Sequence, residues 1–203
     1  LNHKEKKKFL HEFDKNQPEE LMEFNRWGCS VAKDISKIVP FVCTDINILT
    51  EKQCVSHLKD MVENEGAMGL KLHGAVHGYF MDDIRLWPIY ETCRNLDISV
   101  IGHSGPDTKG RGFAEPKAFT EILKAFPEVN FVIAHLGGGT WRQTLKIANS
   151  FNNAYFDCCE IIEWMDSENG PTEIELAKLI KEIGPDRVMM GSDFPWYDID
   201  HTM

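Results

Sequence analysis

The chain has 203 residues, 42% hydrophobic and 27% charged, which is long enough for one well-cored domain and short for two. Its formal net charge of −10 argues against a nucleic-acid surface, which needs clustered Lys and Arg. No apolar run approaches the roughly 20 residues that span a bilayer, and the N-terminus lacks the apolar core of a signal peptide.

A cytoplasmic protein with no membrane and no nucleic-acid partner is therefore expected. The six cysteines agree with this: they are sparse, form no CxxC pair, and suit a reducing compartment. The run from Lys4 to Lys8 is the only basic cluster and reads as a solvated helix face.

In chain order, residues 1–37 read mainly as helix, in two pieces broken near Pro18. "IVPFVCT" (38–44) is the first strand. Thr50 and Gln53 then form a capping box that opens a helix with Val55, Leu58 and Val62 as its buried stripe. "MGLKLHG" ends in a strand at about 68–73, "DDIRLWPIYETCRN" is amphipathic, and "ISVIGH" (98–103) is the third strand.

Pro116 suits the first turn of the next helix. "VNFVIAH" is the fourth strand, and Thr140 is expected to cap the helix after it. "NAYFDCC" is the fifth strand. Thr172 and Glu175 make a second capping box, Gly184-Pro185 stops that helix, and "RVMMGSD" is the sixth strand. The strand ends recur roughly every 25–35 residues, the length of one βα unit, so a parallel α/β fold in one domain spanning 1–203 is expected.

His73, His103, His135 and Asp193 each fall at the C-terminal end of an expected strand. In parallel α/β folds that edge carries the site. Histidine and carboxylate are also ligand types of zinc and similar divalent metals. His103, His135 and Asp193 are thus candidate metal ligands, with Asp193 and His135 also the candidate catalytic groups. His73 is a weaker candidate. His73 and His77 are spaced as a helical pair, but Gly74 and Gly78 argue against a helix there.

Lys71 shares a strand face with His73, where it can bind a substrate carboxylate or oxyanion or form an internal salt bridge. Trp196 can wall a pocket beside Asp193. Lys71, His73 and Trp196 are the candidate substrate-binding residues. Cys158, Cys159, Asp157 and Glu160 read as ordinary strand-end or solvated residues. The polar loop 104–112 is a candidate lid. Glycines 137–139 are read as keeping the space above His135 open.

"GLKLHG", "RLWPIYE", "ISVIGHSG", "VIAHLGGG" and "RVMMGSDFPW", in this order and spacing, resemble the amidohydrolase-related family of metal-dependent hydrolases, which includes the aminocarboxymuconate-semialdehyde decarboxylase group. The resemblance covers roughly 38–197. It implies a (β/α)8 TIM-barrel-type fold, incomplete in this chain: strands one and two and the last helix are missing, and no HxH pair of the kind the family carries on its first strand occurs.

It further implies that His103 binds the metal and that His135 binds metal or holds the activated water. Asp193 would be a ligand that also moves a proton. The implied cofactor is a divalent metal, zinc first. The implied activity is hydrolysis of a small-molecule amide, ester or lactone. Non-oxidative decarboxylation, or a truncated non-catalytic relative, is the alternative. An incomplete barrel would expose apolar surface, so a homo-oligomer is also expected.

Overall fold

A computed structural model of the chain describes residues 3–105 and 110–197, with side chains from Asn16 onward. It contains a six-stranded sheet, β1 Phe41–Cys43, β2 Gly69–Leu72, β3 Ser99–Gly102, β4 Phe131–Ile133, β5 Ala154–Asp157 and β6 Val188–Met189. The strands lie in sequence order and every neighbouring pair is parallel. Helices α1 His3–Asp34, α2 Glu51–Glu63, α3 Gly74–His77, α4 Trp87–Asn95, α5 Thr120–Ala125, α6 Thr144–Ser150 and α7 Glu173–Ile183 supply the crossovers and one flank. This is the winding of a singly wound barrel, in which eight strands close the cylinder.

The register explains which face is the core. Val42, Leu70, Val100, Phe131 and Ala154 pair in one continuous row, and none is more than 2% exposed. Leu58, Met61, Ile89, Tyr90 and Ile122 lie in the same buried cluster and cover this face with helix. One residue along, the opposite row is Cys43, Lys71, Ile101, Val132 and Tyr155, of which all but Val132 are only half-buried. The period of two thus puts apolar residues under the helices and aims Lys71 into the barrel.

Both capping boxes form. The Thr50 and Thr172 hydroxyls accept the backbone N–H of Gln53 and Glu175, and each partner carboxamide or carboxylate accepts the cap N–H in return. Other expectations change. The N-terminal segment is one helix that runs through Pro18 instead of breaking there. The buried stripe of α2 is Cys54, His57, Leu58 and Met61, rotated from the one expected. A one-turn helix does form at Gly74–His77, because Gly78 ends it in the left-handed region that glycine adopts without cost.

Thr140 is not a cap. Its hydroxyl donates to the Gly137 carbonyl, and α6 begins only at Thr144. The strands are shorter than expected, so the site histidines lie beyond them in the turns. The Lys4–Lys8 side chains and part of the 104–112 loop lie outside the described residues.

Asn25 of α1 guards the free edge of β1. Its Oδ1 accepts the Cys43 N–H at 2.9 Å and its Nδ2 donates to the Cys43 carbonyl at 2.8 Å, as a neighbouring strand would. At the other end of the sheet, Arg187 donates to the carbonyls of Ala148, Phe151 and Ala154, tying the end of α6 to β5. Among the described residues, no helix is long and apolar enough to cross a membrane. All six cysteines are free.

Candidate metal and substrate site

The turns after β2, β3, β4, β5 and β6 converge at the C-terminal edge of the sheet. Lys71, His73, His103, Glu160, Asp193 and Trp196 line one cavity there, of about 290 Å³. A larger cavity of about 440 Å³ lies at the opposite end of the strands, among Cys29, Pro40, Val62 and Met68. Its one lysine, Lys33, is paired with Glu65 at 2.5 Å, so the smaller cavity is where the reactive groups gather.

Three imidazoles pack in a column across the mouth. The His73 and His103 rings stack at 3.8 Å, and His103 Nδ1 lies 3.1 Å from His135 Nε2, so one of these two rings donates to the other. Burial, reinforced by the neighbouring rings and by Lys71, pushes His103 down to about 2 and His73 down to about 4. Both are therefore neutral at physiological pH, the state in which imidazole binds a metal. His135 is 2% exposed.

The backbone at this edge is unusual. His135, Glu160 and Asp193 have φ of 59°, 60° and 57°, a left-handed conformation that costs a side-chain-bearing residue about 1–2 kcal/mol. After β4 the chain stays left-handed through His135, Leu136 and Gly137. The turn is held by the His135 N–H donating to Asp157 Oδ1 at 2.8 Å and the Thr144 hydroxyl donating to the Leu136 carbonyl at 2.7 Å. Gly137 is not there to keep space open. A Cβ on it would lie 2.7 Å from Pro116 Cγ and 2.8 Å from Thr144 Oγ1, so glycine is the residue that lets three elements close on one point.

Asp157, Cys159 and Glu160, read from sequence as ordinary strand-end residues, belong to the site. Asp157 Oδ1 accepts from the backbone of His135 and Cys159, and the Cys159 thiol donates to the same oxygen at 2.6 Å. Glu160 Oε2 lies 3.5 Å from His135 Nδ1, and burial raises its carboxyl. Donor atoms of His135, Cys159 and Asp193 lie within 4.8 Å of one another. His103 touches this group through His135. Nitrogen, sulfur and carboxylate oxygen together fit a borderline divalent ion such as zinc. Trp196 is 80% exposed on the rim. No ion pair joins Lys71 to a carboxylate among the described residues.

A family model described as "Amidohydrolase" matches residues 15–202. Among curated proteins, 2-amino-3-carboxymuconate-6-semialdehyde decarboxylase of Dictyostelium discoideum is 26% identical over 188 residues, covering 78% of this chain and 50% of that protein. The chain thus spans about half the length of this relative. Among solved structures, 2,6-dihydroxybenzoate decarboxylase from Rhizobium superposes with a TM-score of 0.72 at 15% identity, covering 93% of this chain and 70% of that one. A TIM-barrel protein of Bordetella bronchiseptica superposes with a TM-score of 0.68 at 22% identity, covering 84% and 59%. These likenesses make the six strands part of a (β/α)8 barrel, incomplete in this chain.

Proposed function

The chain belongs to the amidohydrolase family, and on that premise we propose that it carries the site of a metal-dependent enzyme that removes carbon dioxide, without oxidation, from a small carboxylic acid. One observation carries the reading: Lys71, an ammonium with no ion-pair partner among the described residues, shares a small polar cavity with neutral imidazoles and two carboxylates. A lysine aimed into a barrel is costly without a partner, and a substrate carboxylate would be that partner. The decarboxylase relative supports the same substrate class.

His135 and Asp193, with His103 in contact with His135, would hold the cation, and their donor types suit zinc. When bound, the ion supplies Lewis-acid polarisation and activates water near neutral pH. The chain's own residues do the rest. Lys71 anchors the carboxylate and Trp196 covers the rim. Loss of carbon dioxide breaks a carbon–carbon bond and leaves its electron pair on the substrate carbon, which takes up a proton. Asp193 delivers that proton. Glu160, whose raised carboxyl keeps its own proton to higher pH than an exposed acid, lies beside His135 and restores the supply.

Hydrolysis of an amide, ester or lactone is the second reading, and the His135–Glu160 contact favours it. The same pair run in reverse accepts a proton from water. The deciding experiment is a panel of aromatic and unsaturated carboxylic acids and lactones offered to the zinc-loaded 203-residue chain. Labelled carbon dioxide would be followed alongside acid release. Carbon dioxide without net hydrolysis supports the first reading. Acid release alone replaces it with the second, and neither product from any substrate removes both.

A further inference from the structure

Cys159 is a group at this site that the proposed chemistry leaves without a role. It is 7% exposed, and its Sγ lies 3.2 Å from His135 Nδ1. It shares with His135 and Asp193 the group of donor atoms that lie within 4.8 Å of one another. Zinc bonds of about 2.0–2.3 Å in a tetrahedron put ligand atoms roughly 3–4 Å apart, so one ion can reach all three after small side-chain adjustments.

We propose that Cys159 is a thiolate ligand of the bound metal, joining His135 and Asp193 in a nitrogen–sulfur–oxygen set. The assignment rests on the metal-dependent reading above.

Three features of the chain are built around this sulfur. Asp157 Oδ1 lies 2.6 Å from Sγ and accepts a hydrogen bond from the thiol. Coordination would replace the S–H bond by an S–metal bond and release one proton to solvent per sulfur bound. The same Asp157 oxygen accepts the N–H groups of His135 and Cys159, at 2.8 Å and 3.3 Å, so one carboxylate sets the backbone of both donors.

Gly191, two residues before Asp193, completes the fit. A Cβ there would stand 3.0 Å from Cys159 Cβ and 3.5 Å from Sγ. Its lack of a side chain lets the segment carrying Asp193 close onto the thiol. Cys158 is a natural control. It is adjacent in sequence but faces away, its thiol donating to the Met189 carbonyl.

A sulfur donor has consequences that a carboxylate or imidazole does not. Thiolate favours zinc and other soft or borderline ions over magnesium and manganese. The site would therefore discriminate among divalent ions by ligand type, and oxidation of Cys159 would release the ion.

The test is cobalt(II) added to the full chain and followed by absorption spectroscopy. If Cys159 is a ligand, the visible bands of bound cobalt are accompanied by an intense sulfur-to-cobalt band in the near ultraviolet. Cys159→Ala and Cys159→Ser lose that band, and Cys158→Ala keeps it. Competition against a chromophoric chelator gives zinc affinity at least tenfold weaker in Cys159→Ser. Visible bands in the unaltered chain without the near-ultraviolet band overturn the assignment while leaving the metal-dependent reading intact. So does a near-ultraviolet band that survives Cys159→Ala. The unaltered chain answers the question even where a variant fails to fold. Absence of any bound cobalt overturns both the ligand assignment and the reading it rests on.

Discussion

His103 Nδ1 and His135 Nε2 meet at 3.1 Å, although 32 residues separate them in the chain. The contact fixes which nitrogen of each ring is free, because a proton shared between these two atoms leaves the remaining two to face other partners. An imidazole that orients a metal-binding imidazole typically contributes a factor of about 10–100 to affinity. His103→Ala should therefore bind zinc at least tenfold more weakly than the unaltered chain, measured by chelator competition, with its circular dichroism spectrum preserved. Equal affinity in the two would separate His103 from the metal.

Asp157 is the structural centre of the turn after β4, and removing it should register as stability. Its Oδ1 accepts three hydrogen bonds, two from backbone N–H groups and one from the Cys159 thiol. A hydrogen bond to a charged group contributes about 1.5–3 kcal/mol, and an orphaned buried N–H adds a penalty of similar size. Asp157→Ala should lower the urea unfolding free energy by about 2–4 kcal/mol on that basis. Asp157→Asn, which keeps an acceptor oxygen, should recover at least half of the loss. Equal losses in both variants would mean that the charge, not the acceptor geometry, holds the turn.

Two glycines with nearly the same positive φ should respond differently to the same change. Gly66 and Gly137 have φ of 83° and 86°, but a Cβ on Gly66 meets nothing within 4 Å while one on Gly137 meets Pro116 and Thr144 below 3 Å. Alanine at Gly66 incurs the left-handed backbone cost alone, about 1–2 kcal/mol. Alanine at Gly137 adds a steric term of about 1–3 kcal/mol. Denaturant titration should rank the two in that order, and a Gly137→Ala no worse than Gly66→Ala would mean that the contact relaxes freely.

Much of this architecture is legible in the sequence because it is local. Thr50 with Gln53 and Thr172 with Glu175 place helix starts three residues from their partners, and both boxes form. The alternation around Lys71 correctly turns it to the barrel interior. The parts that escape are those decided by distant partners. Nothing near Asp157 shows that its oxygen serves His135, 22 residues upstream. Asn25 reads as a helix residue until β1 is seen to lack a neighbour on that side. The left-handed turn begins on His135 and Leu136; histidine is only modestly favoured there and leucine carries no local signal for it. Its cause is the packing of Gly137 between Pro116 and Thr144.

The fold should lose stability on acidification through His57. This side chain is buried on α2 and its Nε2 lies 3.1 Å from Asn25 Nδ2, which also donates to β1. Burial first, and then the charge of Arg26, lowers its pKa below the ordinary histidine value, while Asp60 acts weakly the other way. A folded-state pKa below the unfolded one means that the neutral form stabilises the fold. The contribution is fully present above about pH 6.5 and is lost as the pH falls. His57→Gln removes the titration, so its unfolding free energy should fall less steeply than that of the unaltered chain between about pH 6.5 and 5. Parallel curves would assign the acid sensitivity to the imidazole column at the site instead.

Lys71 should separate binding from turnover. It stands on β2 at the mouth of the cavity, in register with Cys43 and Ile101 and without an ion-pair partner among the described residues. If its role is to hold the substrate carboxylate, the loss of its charge weakens binding in ground and transition states alike. An ammonium–carboxylate hydrogen bond of about 1.5–3 kcal/mol corresponds to roughly 10–100-fold. Lys71→Met should raise KM, and the inhibition constant of an unreactive carboxylate, by that factor while kcat changes by less than threefold. Lys71→Arg should restore part of the affinity, because a guanidinium also pairs with a carboxylate. A fall in kcat at unchanged KM would instead assign Lys71 to the charge that develops during bond breaking. The same comparison at high salt provides a check, because a pair in a half-open cavity is partly screened and the gap between the unaltered chain and Lys71→Met should narrow.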